Sequence, residues 1–244
     1  MTAPRSQFDG GLVTLYGIAC WAVFCLLGTF LWPAVMVLPR LSWRWSLARA
    51  MGRLACGCLA IDFETRGVLV APEPSVYVAN HASFLDACVL FVMFPTPVVF
   101  VAGGVLSRQR IVGPFLRRIG AVFVTTEVGH GRSNVEEALS KMEKVLRSGR
   151  SLVFFPEGGL EREPGLRRFH LGAFVVAVAT GCPVIPVGII GTREILPAGR
   201  RMLRPGALCL TVGQPIRPNG SDRKAARQLA NLARAAIEGL LTES

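Results

Sequence analysis

The chain has 244 residues, 51% of them hydrophobic, and a formal net charge of +11. Its length allows one good-sized core, but its mean hydropathy of +0.45 argues against an ordinary soluble enzyme. The charge fits an anionic lipid surface, and nucleic acid is disfavoured because no recognition motif or basic-aromatic run accompanies it. Seven cysteines, odd in number and without metal-ligand spacing, argue against a disulfide framework or a zinc site.

The first predicted element is an apolar segment. No charged side chain lies between Gly10 and Leu38, and the run from Leu12 exceeds the roughly 20 residues that a bilayer-spanning helix needs. A secretory signal peptide is the alternative, but its hydrophobic region would be only about 7–15 residues long. Because Pro33 and Pro39 can break the segment, a spanning helix and a hairpin in one leaflet both remain open.

Basic residues after the apolar segment predict its orientation. Arg40, Arg44, Arg49 and Arg53 follow it, whereas Arg5 alone precedes it, so the rest of the chain is expected on the cytoplasmic side of the inner (cell) membrane. Residues 41–61 fit either an amphipathic helix at the lipid headgroups or a surface helix packed on the domain. We therefore expect a membrane-embedded segment with this helix over residues 1–61 and a globular domain over 62–244.

From about residue 62, strand-like and helix-like patterns alternate. The predicted strands are 67–71, 76–79, 97–102, 121–125, 151–155, 183–190 and 207–212. The predicted helices are 83–94, 133–148, 169–180 and 221–240. This alternation predicts an α/β fold with a mostly parallel sheet flanked by helices.

A histidine and an aspartate lie at the junction between strand 76–79 and helix 83–94. In one continuous helix His81 and Asp86 would face about 140° apart. If His81 precedes the helix and Asp86 lies in its first turn, the carboxylate can reach the imidazole. An aspartate bonded to one ring nitrogen leaves the other as a general base. The alternative is a solvated first-turn acid that interacts only with the helix dipole.

A second candidate site follows the buried strand 151–155. Pro156, Glu157 and two glycines come directly after it, and sites in open α/β sheets lie beyond the carboxyl ends of the strands. Glu157 is positioned to bond an acceptor hydroxyl, and the glycines allow backbone N–H groups to approach a substrate. The same residues are equally typical of a turn with a solvated glutamate.

Four sequence blocks together resemble the glycerolipid acyltransferases, over about residues 65–215. The blocks are Asn80-His81-x4-Asp86, Gly120-Ala-Val-Phe123-Val, Phe155-Pro156-Glu157-Gly158 and Val184-Ile-Pro186-Val. The most similar branch is the 1-acylglycerol-3-phosphate (lysophosphatidic acid) acyltransferases. The resemblance implies transfer of a fatty acyl group from acyl-CoA or acyl-carrier protein to a lysophospholipid hydroxyl at a membrane, giving phosphatidic acid in this branch.

The resemblance also assigns roles to residues. It makes His81 the general base and Asp86 the residue that orients it. The substrate-binding residues are then Asn80, Phe155, Pro156, Glu157 and Gly158. No cofactor is expected beyond the acyl donor, and no ligand cluster indicates a metal. Donors for the tetrahedral oxyanion are expected among backbone N–H groups near the start of the His81 helix or in a glycine turn.

Two departures from the family pattern bear on the acceptor. An arginine is usual shortly after the Phe of the second block, where Thr125-Thr126-Glu127 stand, and another follows the third block, where Gly159-Leu160 stand. Four nearby arginines are candidates to bind a phosphate instead. They are Arg162, Arg167, Arg168 and Arg193.

Other functions remain open on these grounds. The acceptor is otherwise a lyso-ornithine lipid, another lysolipid or a glycolipid, and a basic membrane-facing rim is the alternative role for the arginines. A non-catalytic membrane lipid-binding protein is the competing hypothesis from another class. The presence of both His81 and Asp86 beside an intact Phe-Pro-Glu-Gly block favours an enzyme.

Overall fold

The computed structural model describes residues 10–124, 132–160 and 165–242. Within these ranges the strands are β1 (Asp62–Arg66), β2 (Val76–Ala79), β3 (Val99–Gly103), β4 (Val122–Val124), β5 (Leu152–Phe154), β6 (Val184–Ile190) and β7 (Ala207–Val212). The helices are α1 (Gly10–Val37), α2 (Leu41–Cys58), α3 (Leu85–Met93), α4 (Gly104–Ser107), α5 (Val112–Arg118), α6 (Arg132–Arg147), α7 (Gly172–Thr180), α8 (Thr192–Ile195) and α9 (Arg223–Thr242).

The strands of the described residues form one seven-stranded sheet in the order β1-β7-β6-β2-β5-β3-β4. The β6–β7 pair is antiparallel and the other neighbours are parallel. The predicted α/β fold with a mostly parallel sheet is therefore confirmed. The crossovers between parallel strands place helices against the sheet, so both of its faces are covered by helices.

Strand β2 shows how the two faces are covered. All four of its residues are buried, and alternate side chains belong to opposite cores. Tyr77 and Ala79 lie in a core that includes residues of α1, α2 and α3. Val76 and Val78 lie in a second core with residues of α6, α7 and α9. The N-terminal helices are thus part of one face of the same layered structure.

Helix α1 lies against the rest of the protein near both of its ends. Tyr16 donates a hydrogen bond from its hydroxyl to the Leu59 carbonyl (2.9 Å), and the Trp32 indole N–H donates to the Ile111 carbonyl (3.2 Å). These two side chains are separated by about 24 Å along the helix at 1.5 Å per residue. The helix is long and apolar enough to cross a membrane. Its outward side chains, which include Leu15 and Leu26, remain exposed.

Helix α2 packs on the domain through a close contact with α3. A Cβ at Gly52 would lie 2.3 Å from Val92 Cγ2, so only glycine allows this approach. The Trp45 indole N–H donates to the Phe94 carbonyl at 2.9 Å, and Arg49 Nε donates to the Val92 carbonyl at 2.9 Å. Helix α2 therefore packs on the domain, and its place at the lipid headgroups stays a prediction.

Several predicted boundaries differ from the structure. The strand expected at residues 67–71 was wrong, since β1 ends at Arg66 and Gly67 has a φ of +86°. A Cβ at Gly67 would lie 2.5 Å from the Val212 carbonyl oxygen, so a left-handed glycine ends the strand. Helices α4, α5 and α8 were missed because each has seven residues or fewer. The predicted end of β4 at Thr125 lies outside the described residues.

The register of the sheet brings the loops after β2 and β5 to the same edge. Strand β2 pairs in parallel with β5, and Val78 stands opposite Phe154. The residues that follow these two strands therefore leave the same edge of the sheet side by side. They are Asn80-His81 after β2 and Phe155-Pro156-Glu157 after β5.

Candidate active site

His81 and Asp86 form a part-buried hydrogen-bonded pair. His81 Nδ1 lies 3.0 Å from Asp86 Oδ2, and the Asp86 side chain is 0% exposed while that of His81 is 18% exposed. Helix α3 begins only at Leu85, so His81 precedes the helix and the intervening turn folds back over Asp86. The same Oδ2 accepts the backbone N–H groups of Ala82 (2.6 Å) and Ser83 (2.8 Å).

These bonds define what the imidazole can do. A carboxylate oxygen only accepts hydrogen bonds, and Asp86 Oδ2 already accepts two backbone N–H groups. His81 Nδ1, which also contacts this oxygen, therefore serves best as an N–H donor. A proton on Nδ1 leaves the lone pair of His81 Nε2 as the basic site of the ring. The pair therefore has the arrangement that general-base chemistry requires.

Phe155 covers one face of this imidazole. The ring centroids of His81 and Phe155 are 4.0 Å apart, and the ring planes are inclined by 18°. A phenyl face stabilises a positive charge stacked on it, so this contact favours the imidazolium that forms when the base takes a proton. Phe155, predicted to bind substrate, contacts the histidine directly.

Glu157 lies on the backbone side of His81. Its Oε1 accepts the His81 backbone N–H at 2.7 Å, and its Oε2 accepts the Arg167 backbone N–H at 3.0 Å. Glu157 is buried, with 4% of its surface exposed. Each carboxylate oxygen therefore has a protein donor, and the bond from Glu157 to an acceptor hydroxyl stays a prediction.

Three backbone N–H groups near the start of the His81 helix already donate to carboxylates. The N–H groups of His81, Ala82 and Ser83 all point at carboxylates, so the expectation that N–H groups at the start of the His81 helix bind the oxyanion was wrong for these three. The expectation failed because Asp86 and Glu157 satisfy the donors that a helix start otherwise leaves free. In the glycine turn, the Gly158 N–H donates to the Phe155 carbonyl at 3.2 Å.

A family model described as "Acyltransferase" matches residues 61–190. The chain belongs to the acyltransferase family. It is 33% identical to a 1-acyl-sn-glycerol-3-phosphate acyltransferase of Chlamydomonas reinhardtii, over 69% of this chain and 49% of the relative. It is 30% identical to the lyso-ornithine lipid O-acyltransferase of Pseudomonas aeruginosa, over 80% of this chain and 78% of the relative.

The chain also resembles a solved structure in fold. The crystal structure of the 1-acyl-sn-glycerophosphate (LPA) acyltransferase PlsC from Thermotoga maritima matches with a TM-score of 0.71. The match covers 94% of this chain and 95% of the other, at 24% identity. The chain spans about half the length of the curated relatives it matches first, at 49%, 41% and 42%.

Asn80, predicted to bind substrate, is turned into the protein. Its side-chain N–H donates to the Ile189 carbonyl at 2.9 Å, and its Oδ1 accepts the Ile189 N–H at 2.7 Å. With 5% of its surface exposed, the side chain fastens the His81 turn to β6. These contacts follow from the register of β6 beside β2, which sequence alone does not reveal, and substrate binding by Asn80 stays a prediction.

Three of the four arginines predicted to bind a phosphate lie in the described part of the chain. Arg162 lies outside the described residues. Arg167 is exposed, and its Nη1 lies 3.8 Å from the position that a Cβ on Gly159 would occupy. Arg168 is exposed beside it, and Arg193 lies on α8, beyond the carboxyl end of β6. A guanidinium therefore lies next to the glycine turn after Glu157.

His170 is a site residue that the sequence analysis missed. A Cβ at Gly158 would lie 2.7 Å from His170 Cδ2 and 2.8 Å from Nε2, so the imidazole packs on the bare backbone of Gly158. The His170 N–H donates to the Pro156 carbonyl at 2.7 Å, and its side chain is exposed. The available signal was the Gly158-Gly159 pair, because consecutive glycines often mark a close approach by another segment.

Proposed function

We propose that this acyltransferase transfers a fatty acyl group from acyl-CoA or acyl-carrier protein to the free hydroxyl of a lysophospholipid. The first acceptor is 1-acyl-sn-glycerol-3-phosphate, and the product is phosphatidic acid. The observation that carries the proposal is the 3.0 Å contact between His81 Nδ1 and the fully buried Asp86 carboxylate. It supports a base that needs no serine or cysteine nucleophile.

The proposed reaction is a direct transfer. The acceptor hydroxyl gives its proton to His81 Nε2 while its oxygen attacks the thioester carbonyl carbon. The tetrahedral intermediate then collapses, the C–S bond breaks, and the thiolate takes the proton from the His81 imidazolium. Because the thioester is already activated, no further cofactor or covalent enzyme intermediate is needed. Asp86 and the Phe155 ring both stabilise the transient imidazolium.

The membrane is the proposed place of this reaction. The outward face of α1 exposes large apolar side chains, among them Leu15, Leu26 and Phe30 with 64%, 61% and 63% exposure. Contacts near both ends of α1 support a helix that lies along the domain within one leaflet. The arginines that follow α1 support a domain on the cytoplasmic side. The lysolipid acceptor would then reach the active site from the bilayer.

A second acceptor has a relative in its favour. The lyso-ornithine lipid O-acyltransferase relative is 30% identical to this chain and is matched over 78% of its length. Leu160 also stands where the phosphate-accepting branch usually carries an arginine. We therefore propose lyso-ornithine lipid as the alternative acceptor for the same chemistry.

Acyl transfer by purified membranes tests the function. Labelled acyl-CoA and acyl-carrier protein are each offered with lysophosphatidic acid, other lysophospholipids and lyso-ornithine lipid. His81→Ala is expected to lower the rate on the order of 10²–10⁴-fold. The matched control is Arg227→Ala, which removes an exposed charge on α9 and should leave the rate unchanged. Product formation that survives His81→Ala, or no transfer with any acceptor, would count against the proposal.

A further inference from the structure

The buried carboxylate of Glu157 joins two separate segments of the chain. One oxygen accepts the backbone N–H of His81, 76 residues away in sequence, and the other accepts the backbone N–H of Arg167. Burying a charge is costly unless hydrogen bonds compensate for the lost water. Here two charge-assisted N–H bonds, at 2.7 and 3.0 Å, provide that compensation.

The segment that carries Glu157 contacts His81 twice. Phe155 stacks on the imidazole face with centroids 4.0 Å apart, and Glu157 holds the backbone N–H of the same residue. Asp86 contacts the ring from a third direction, at Nδ1. The histidine is therefore restrained at its ring face, its ring edge and its main chain, and Nε2 is the ring atom left for chemistry.

The second carboxylate oxygen of Glu157, Oε2, contacts the segment 165–170. Arg167, whose N–H it accepts, places Nη1 close to Gly159, and His170 packs on Gly158 while donating to the Pro156 carbonyl. The carboxylate thus lies between the main chain of the base and the main chain of residues 165–170. No substrate needs to contact it for these bonds to form.

We infer that Glu157 is a positioning residue for His81. This inference rests on the proposed function, since it specifies how the proposed base is held. Glu157 fixes the His81 main chain, and thereby the distance between Nε2 and the acceptor hydroxyl, relative to the segment that carries Arg167 and His170.

The chemistry of the two bonds predicts the effect of conservative variants. Both partners are N–H donors, so both positions require acceptors. Glu157→Gln replaces one oxygen by an NH₂ group, which places a donor against a donor. Glu157→Asp keeps the charge but is one methylene shorter, so it retains at most one of the two bonds. The Gln variant should therefore be the more damaging of the two.

Steady-state kinetics separate positioning from acceptor binding. For Glu157→Gln in full-length enzyme, kcat should fall on the order of 10²-fold, because small misplacement of a reacting group has that cost. KM for the acceptor should change less than about twofold, since uniform binding is unaffected. Glu157→Asp should show an intermediate kcat with the same KM. A raised acceptor KM with kcat preserved, or no change in either constant, would overturn the inference.

A second measurement does not depend on activity. Amide hydrogen exchange of the peptide that contains His81 should be at least about tenfold faster in Glu157→Gln, because the His81 N–H loses its acceptor. Arg227→Ala serves as the control and should leave that exchange unchanged. Unchanged exchange in the variant overturns the inference even if the wild type transfers no acyl group. Failure of His81→Ala to lower activity would instead overturn the proposed function alone.

Discussion

Phe155 lies nearly parallel to the imidazole of His81, with ring centroids 4.0 Å apart and planes inclined by 18°. The two residues follow neighbouring parallel strands, β5 and β2. This relationship makes an aromatic residue of the Phe-Pro-Glu-Gly block a direct neighbour of the proposed base. It also supplies the first of four predictions.

Replacing Phe155 by Leu should slow catalysis without weakening acceptor binding. Leucine keeps an apolar group over the ring but lacks the π face that stabilises an imidazolium. That interaction has a value of about 0.5–2 kcal/mol, which corresponds to a roughly 2- to 30-fold lower kcat. Phe155→Tyr, which keeps the π face, is the matched control. A tenfold higher acceptor KM in Phe155→Leu with unchanged kcat would instead indicate that Phe155 binds the acceptor.

Replacing His170 by Ala should weaken binding of the acceptor headgroup. The imidazole is exposed and packs on Gly158, beside the Arg167 guanidinium near Gly159. Loss of one hydrogen bond to a charged headgroup costs about 1.5–3 kcal/mol, so KM for the acceptor should rise about 10- to 150-fold. The acyl-donor KM should not change. An equal effect of Arg227→Ala would show that bulk charge, and not His170, is responsible.

The hydroxyl of Tyr77 should contribute to stability in a pH-dependent way. It donates to the Leu69 carbonyl (2.8 Å) and accepts the Ala71 N–H (3.0 Å). Tyr77→Phe removes both bonds and leaves the part-buried Leu69 carbonyl and Ala71 N–H without this partner, which should lower the free energy of unfolding by about 1–3 kcal/mol. The midpoint of chemical or thermal unfolding in detergent measures this difference.

Burial raises the pKa of the Tyr77 phenol above its ordinary value of 10.0. The neutral phenol is therefore favoured in the folded state, and the unfolded chain ionises first. Stability from this group is fully present below pH 10.0 and is lost as the pH rises through the higher folded pKa. Wild type should lose more stability than Tyr77→Phe in this alkaline range. Parallel stability curves for the two proteins would contradict the assignment.

Charged residues on the outward face of α1 should detach the protein from lipid. Leu26 and Phe30 are 61% and 63% exposed, and inserting each contributes about 1.5–3 kcal/mol to lipid binding. Leu26→Asp combined with Phe30→Asp should lower co-flotation with anionic liposomes by at least about tenfold. Leu232→Asp is the matched control, because Leu232 is 57% exposed on α9, which packs on the other face of the sheet. Equal loss in the control would point to misfolding.

Most of the fold was predictable because its signals are local. Alternating runs of β-formers and helix-formers predicted the layered α/β class, and β2 and β7 were predicted at their observed bounds. Short helices such as α8 were not predictable, since four residues give no periodic pattern. The strand predicted at 67–71 failed because pairing with β7 selects Asp62–Arg66 instead.

The sequence by itself predicted the longer strands and helices of this protein and placed Asp86 where it can reach His81. Both depend on short-range patterns, since five residues and a turn decide whether the carboxylate can reach the ring. Only the tertiary structure decided what Glu157, Asn80 and Phe155 contact. Their partners lie 76, 109 and 74 positions away in sequence, and the register of β2 between β5 and β6 selects them. Hydrogen-bond register between strands is a non-local property, so no local pattern could have shown that these side chains hold the base and fasten its turn.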